Sequence, residues 1–302
     1  MAILTQAERN AAYQRVRREL GVDRIGTGSD AKPLPPRSQS GTAKRGRALP
    51  IEAEMYGAQM YEFEVWARPA LDLRTRSFIT AAALTATRSP NQLYRHINIA
   101  LNLGTTPDEI HEMLLHVSCY AGNPAWEEGV GVANEVFVAR GVLPPGSGVT
   151  VEPKPPMNHE ERRVARERVV EALGVGRIGL GPTAPLLKPL PGGPILASRP
   201  GTLDEEISYL GADYGYGELW GRPGLPMRIR SFITMSVLQV MLENHQLHIH
   251  VANALNTGIT REEVSEALAQ TGVYHGTSGW HNAFTVARHV FDQHPAAGGR
   301  PN

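Results

Sequence analysis

The chain has 302 residues, 41% hydrophobic and 20% charged, an ordinary soluble composition with length for two domains of roughly 150 residues. Thirty basic residues balance thirty acidic ones, which removes any global field that would draw the protein onto nucleic acid or an anionic membrane. Cys119 is the one cysteine, so an intrachain disulfide, a CxxC redox pair and a cysteine-rich zinc site are excluded.

The first twenty residues, MAILTQAERNAAYQRVRREL, turn charged at once and build no apolar core of a signal peptide; no later run approaches ~18 apolar residues. A cytoplasmic protein without a membrane span is expected. After this arm, the stretch AKPLPPRSQSGT is too rich in proline to be regular helix or central strand, and reads as a long loop that wraps over a neighbour. Helical periodicity follows. Phe78, Ile79, Ala82, Ala83 and Ala86 recur at three- and four-residue spacing, as do Ile110, Met113, Leu114 and Val117. Gly104 is placed to end one helix, and Thr106 with Glu109 has the capping-box spacing that opens the next. A proline- and glycine-rich stretch from Val142, VLPPGSGVTVEPKPP, then separates two halves, so the domains are taken as 1–150 and 151–302.

The second half repeats the first. The segment from Glu218 to Phe291 superposes without a gap on that from Glu64 to Phe137, an offset of 154 residues. Trp66 matches Trp220, Arg68-Pro69 matches Arg222-Pro223, and Ser77-Phe78-Ile79-Thr80 matches Ser231-Phe232-Ile233-Thr234. His96 matches His250, Asn102 matches Asn256, Glu112 matches Glu266, Tyr120 matches Tyr274 and Trp126 matches Trp280. The arm recurs too, as RVRRELGVDRIG from Arg15 and RVVEALGVGRIG from Arg168. The expected fold is all-α: two tandem helical bundles of about five helices each, related by a pseudo-twofold axis.

The order RTRSFITAAAL, LYRHINIALNLG, TPDEIHEMLLHVSCYAG and GVANEVF, present in duplicate over about half the chain, resembles the carboxymuconolactone decarboxylase family and its alkylhydroperoxidase-like relatives. The redox branch of that superfamily carries a glutamate, then CxxC, then a histidine. Here the glutamate position holds Ser77 and Ser231, the cysteine positions hold Ser89, Gln92, Glu243 and Gln246, and only His96 and His250 survive. With no sulfur to attack or resolve, thiolate peroxide reduction is excluded. The decarboxylase branch acts on a lactone whose carboxylate is conjugated to a ring carbonyl. The resemblance therefore implies a cofactor-independent lyase on a carboxylated, unsaturated small molecule, in which the electron pair left by carbon dioxide spreads into that carbonyl and a proton is returned. It also implies homo-oligomers, either three tandem chains in a ring of six domains or a smaller dimer.

Histidine suits proton delivery near neutrality, so His250 and His96 are the catalytic candidates, with Glu243 two helical turns before His250 on one face as an acid–base partner. Tyr274, His275, Trp280 and His281 arrive later in the second core as substrate-binding candidates. Arg76 and Arg230 offer guanidinium forks for a carboxylate, or pair across the repeats. His116, four residues after Glu112, is peculiar to the first repeat. His245 and His248 have a spacing that would serve a metal together with His275 or His281, but no complete signature such as HExxH is present, and they read as exposed polar histidines with no metal. An isomerase, cyclase or hydrolase on the same scaffold, and a non-catalytic binding or assembly protein, are the alternatives.

Overall fold

Local signals in the sequence convert directly into helix ends. The computed structural model describes residues 5–37, 63–144, 155–191 and 201–294. In the first repeat an arm helix α1 (Gln6–Leu20) is followed by a short turn α2 (Phe63–Trp66) and four core helices, α3 (Leu73–Ala86), α4 (Pro90–Asn102), α5 (Pro107–Ala121) and α6 (Asn123–Ala139). The second repeat has arm helix α7 (His159–Leu173), α8 (Leu203–Ala212) running into a π-helical segment Asp213–Leu219, and core helices α9 (Met227–Val240), α10 (Asn244–Asn256), α11 (Arg261–His275) and α12 (Thr277–Phe291). Each core helix of the second repeat starts 154 residues after its counterpart. Among the described residues, extended pairing is confined to Arg24–Ile25 with Lys32–Pro33 and the bridge Arg177 to Leu186.

Thr106 with Glu109 and Thr260 with Glu263 form complete capping boxes at α5 and α11, satisfying backbone N–H groups that a bare helix start leaves unpaired. Gly104 and Gly258 take positive φ at 83° and 87°, which a residue with a Cβ resists, and so stop α4 and α10. The turn before each of these helices places a non-glycine in the left-handed region, Arg88 at φ 52° and Leu242 at φ 59°.

One asparagine makes the same set of hydrogen bonds from each core to its own arm. Asn102 Nδ2 donates to the carbonyls of Leu20, Gly21 and Arg24, and its Oδ1 accepts from Gly26 N; Asn256 does the same for Leu173, Gly174, Arg177 and Gly179. The described parts of the proline-rich stretches also stay at home. Pro35 O accepts from Tyr94 in the first repeat, and Leu187 and Leu190 pack on the second core. Residues 38–62 and 192–200, the rest of those stretches, lie outside the described residues, as does the boundary expected near residue 150.

The two bundles meet through α3 and α9, each buried along nearly its whole length. Ile229, Ile233 and Val237 of α9 pack into the first repeat's core, and Leu71 and Ile79 pack into the second's. Fully burying side chains of this size contributes roughly 1.5–3 kcal/mol each. Because α3 also packs on α11 and α9 on α5, the contact is reciprocal, as a twofold interface between like chains requires. The two repeats thus form the expected pseudo-symmetric pair. Among the described residues, no helix is long and apolar enough to cross a membrane.

Candidate functional site

The reciprocal packing of α3 and α9 builds two composite sites, each from both repeats. In the first, His96 of α4 is buried, stacks on Trp66 at 6.0 Å between ring centroids, and meets Tyr274 edge-on at 5.3 Å. Trp66 Nε1 donates to Tyr274 Oη at 3.0 Å. Beside it Glu266 accepts from Arg76 at 2.9 Å and from Arg68, across the repeats. Burial opposes ionisation of Glu266, but the two guanidinium groups prevail and hold its carboxyl below the usual range.

The second site repeats this pattern with the repeats exchanged and adds two rings. His250 of α10 stacks on Trp220 at 5.7 Å and lies 6.4 Å from Tyr216, whose ring is itself 6.3 Å from Trp220, so the three rings form a triangle. Tyr120, from α5 of the first repeat, approaches edge-on, its Oη 3.3 Å from His250 Nε2. Trp220 Nε1 donates to the same oxygen at 2.8 Å. Glu112 accepts from Arg222 Nε and Nη2, the latter at 2.8 Å, and from Arg230 at 3.3 Å. His116 stands between these groups, with Nδ1 3.3 Å from Arg230, Nε2 2.9 Å from Thr234 Oγ1 and its ring edge-on to Trp220.

The imidazoles in these sites are neutral. Burial pulls His250 down to about 3; for His96, also at about 3, burial acts first and the charge of Arg95 adds to it. His116 is held well below its ordinary value by burial, then by Arg230 and His250, against the Arg230 backbone carbonyl. Burial also raises Tyr120 well above the usual phenol range, so it stays protonated and acts as a hydrogen-bonding group.

A cleft of about 440 Å³ opens between α5 and the π-helical segment, lined by residues that include Ser118, Cys119, Tyr214, Gly215 and Arg222. Cys119 and Gly215 are the chain neighbours of Tyr120 and Tyr216, so the cleft runs beside the second site. The Cys119 thiol is pushed up by burial to about 11 and is not a nucleophile at neutral pH.

The site expectations divide sharply. His250, Arg230 and His116 come together in the second site, and His96, Arg76 and Tyr274 in the first. The Arg76 and Arg230 forks are spent on Glu266 and Glu112, the cross-repeat alternative. Glu243 is a correction. It occupies the exposed N-cap position of α10 while His250 is buried two turns on, so the face they share on a helical wheel leaves the protein interior before it reaches the carboxylate. Tyr274 is a second, because the crossing of repeats carries it to His96 and not to His250. His281 is exposed; Trp280 donates to Ala269 O and packs on Gly272; His275 sits at the turn into α12 against Gly279. None of these three joins the His250 group. His248 is not exposed but buried, its ring 5.3 Å from that of His289, and burial with the neighbouring His289 and His245 takes it down to about 4. Among the described residues, no three His, Cys, Asp or Glu side chains are arranged to hold a metal ion.

The repeat matches Trp66 with Trp220 and Arg68 with Arg222 but assigns none of them to a site, and it does not single out Tyr216. One signal was available: Glu112/Glu266 is the only charged position that the two repeats share on α5 and α11 between their capping glutamates and their ends. The serines at the redox-branch glutamate position are buried, Ser77 without a hydrogen-bond partner among the described residues and Ser231 donating to Met227 O. The carboxylates of these sites come instead from α5 and α11.

Fold and sites together define a tandem all-helical protein whose paired sites each draw on both repeats. The family model described as "Carboxymuconolactone decarboxylase family" matches residues 56–135 and 210–289, together more than half of the 302 residues, and the chain belongs to that family. It is 43% identical over 81 residues to 4-carboxymuconolactone decarboxylase of Acinetobacter baylyi, a match covering 27% of this chain and 60% of that protein. It is 32% identical over 76 residues to nitrosuccinic acid decarboxylase of Metarhizium robertsii, covering 25% of this chain and 53% of that protein. The chain thus spans somewhat over half the length of each relative.

Proposed function

We propose that this protein is a cofactor-independent decarboxylase of a small carboxylated acid, working at the site around His250. The observation that carries the reading is a buried, neutral imidazole packed against the adjacent rings of Trp220 and Tyr216 and touched by Tyr120 of the other repeat. Exclusion of water favours loss of a localised carboxylate charge, and N–H and O–H donors fixed in place meet the charge that moves to a conjugated carbonyl. A carboxylate brought against His250 raises its pKa, so the bound complex acquires the imidazolium. Carbon dioxide leaves, its bonding pair passes into the dienolate, and His250 returns a proton to carbon and is left neutral again. The cleft beside Cys119 and Gly215 is the route to the site. The names of both decarboxylase relatives support the reaction class.

A carboxylated unsaturated lactone and a nitro-substituted succinic acid are the first substrates to try, with carbon dioxide release as the readout. Turnover is expected to fall about a hundredfold or more in His250→Gln, and less in His96→Gln. A mass-neutral conversion of the lactone would redirect the reading to an isomerase, cyclase or hydrolase; no turnover of either acid or of related acids would leave a binding role. A cytoplasmic location and association of tandem chains, as trimer or dimer, belong to the same proposal, and a monomer by light scattering would remove the assembly.

A further inference from the structure

An arginine side chain only donates hydrogen bonds, so the nitrogen of His116 that meets Arg230, Nδ1, must accept. His116 is therefore the neutral tautomer with its proton on Nε2, which it donates to Thr234 Oγ1 at 2.9 Å. A hydroxyl that accepts one hydrogen bond keeps its own proton to give, and Thr234 faces the Tyr120 phenol, so the order that continues from His116 has Thr234 donating to Tyr120. Tyr120 Oη also accepts from Trp220 Nε1, which leaves the Tyr120 proton for His250 Nε2. In that order His250 carries its proton on Nδ1, a buried nitrogen without a hydrogen-bond partner among the described residues.

The other site supplies an internal control. Gln270 stands where His116 does, accepts from Arg76 Nη1 through Oε1 at 3.0 Å, and donates through Nε2 to Thr80 Oγ1 at 3.0 Å. A glutamine cannot serve as acid or base, yet its carbonyl and amide keep the same direction from arginine to threonine. The shared property of the two positions is polarity, not proton exchange.

We propose that His116 is a positioning residue that passes the orientation imposed by Arg230 through Thr234 and Tyr120 to His250, so that His250 offers an Nδ1–H donor to a bound carboxylate oxygen. The inference rests on the reading of the His250 site as one for a small carboxylated acid. Its direct test does not need turnover.

The protein labelled with 15N-histidine is examined by long-range 1H–15N correlation, the His250 signals being identified by their loss in His250→Gln. In the wild type and in His116→Gln, His250 is expected to be protonated at Nδ1 and bare at Nε2. In His116→Leu, Thr234 is free to accept from Tyr120, and His250 is expected to shift toward the Nε2–H form. Thr234→Val cuts the same chain without touching His116 and is expected to do likewise, which keeps the test intact where the leucine variant fails to fold. In carbon dioxide release, His116→Gln is expected to stay within a few-fold of wild type while His116→Leu loses on the order of tenfold. An Nε2-protonated His250 in the wild type, or glutamine and leucine variants that behave alike, would overturn the proposal. Expected tautomers without carbon dioxide release would refute the reaction and leave the orientation standing; release with the wrong tautomer would do the reverse.

Discussion

Neutral buried histidines make stability depend on acid in a calculable way. His96 and His250 are each depressed to about 3 in the folded chain, against about 6.5 when unfolded. Between those values the unfolded state binds more protons, so stability is fully present above about pH 6.5 and drains as the pH falls toward 3. At pH 5 each histidine withdraws about 1.5 units' worth of binding energy, or about 2 kcal/mol, a large part of a typical folding free energy. Glu266, held below the usual carboxylate range, begins to lose its contribution only below the unfolded value of about 4.3, so a comparison that stops at pH 5 leaves it in place. Urea unfolding at about pH 7.5 and pH 5, at one protein concentration, gives the loss for the wild type. In His250→Gln or His96→Gln that loss should be smaller by about 2 kcal/mol, since the substituted side chain does not titrate. If the variants lose as much as the wild type, the imidazoles are solvated or already charged, and the neutral site is wrong.

Two further outcomes follow from packing. Glu112→Gln leaves Arg230 buried with its ion pair broken and should cost about 3–5 kcal/mol in urea unfolding, whereas Glu128→Gln, which frees the largely exposed Arg88, should cost less than about 1 kcal/mol; equal losses would mean that the cross-repeat cluster is not dry. Gly272→Ala puts a methyl 1.4 Å from Trp280 Nε1 and should destabilise by about 1–3 kcal/mol, with a change in Trp280 fluorescence; an unchanged spectrum and unfolding midpoint would show that Trp280 does not pack there.

How much of this was legible in the chain depends on the range of the interaction. Thr106 with Glu109 and Thr260 with Glu263 set helix starts three residues away, and the duplicated pattern gave the pairing of bundles, because both are written in local or repeated spacing. The sites are not local. Tyr120 meets His250 across 130 residues, and Trp66 meets Tyr274 across 208. A helical wheel places Glu243 and His250 on one face but carries no information on where that face leaves the core. Likewise, grouping Tyr274 with His250 because both lie in the second repeat fails once α3 and α9 cross, since each α5 or α11 tyrosine is delivered to the other repeat's histidine. Arg76 and Arg230 could be read either as a substrate clamp or as a bridge between repeats, and only the position of Glu112 and Glu266 separates the two.

The composite character of the His250 site is most directly tested by a double-mutant cycle on kcat/KM for carbon dioxide release, combining Tyr120→Phe with His250→Gln and, separately, with His96→Gln. Tyr120 and His250 share a hydrogen bond across the repeats, so their effects should fail to add by about 0.5–3 kcal/mol, while Tyr120 and His96, in different sites, should add to within about 0.5 kcal/mol. Coupling of Tyr120 to His96, its partner within the first repeat, with none to His250, would contradict the crossed architecture from which the proposed chemistry is built.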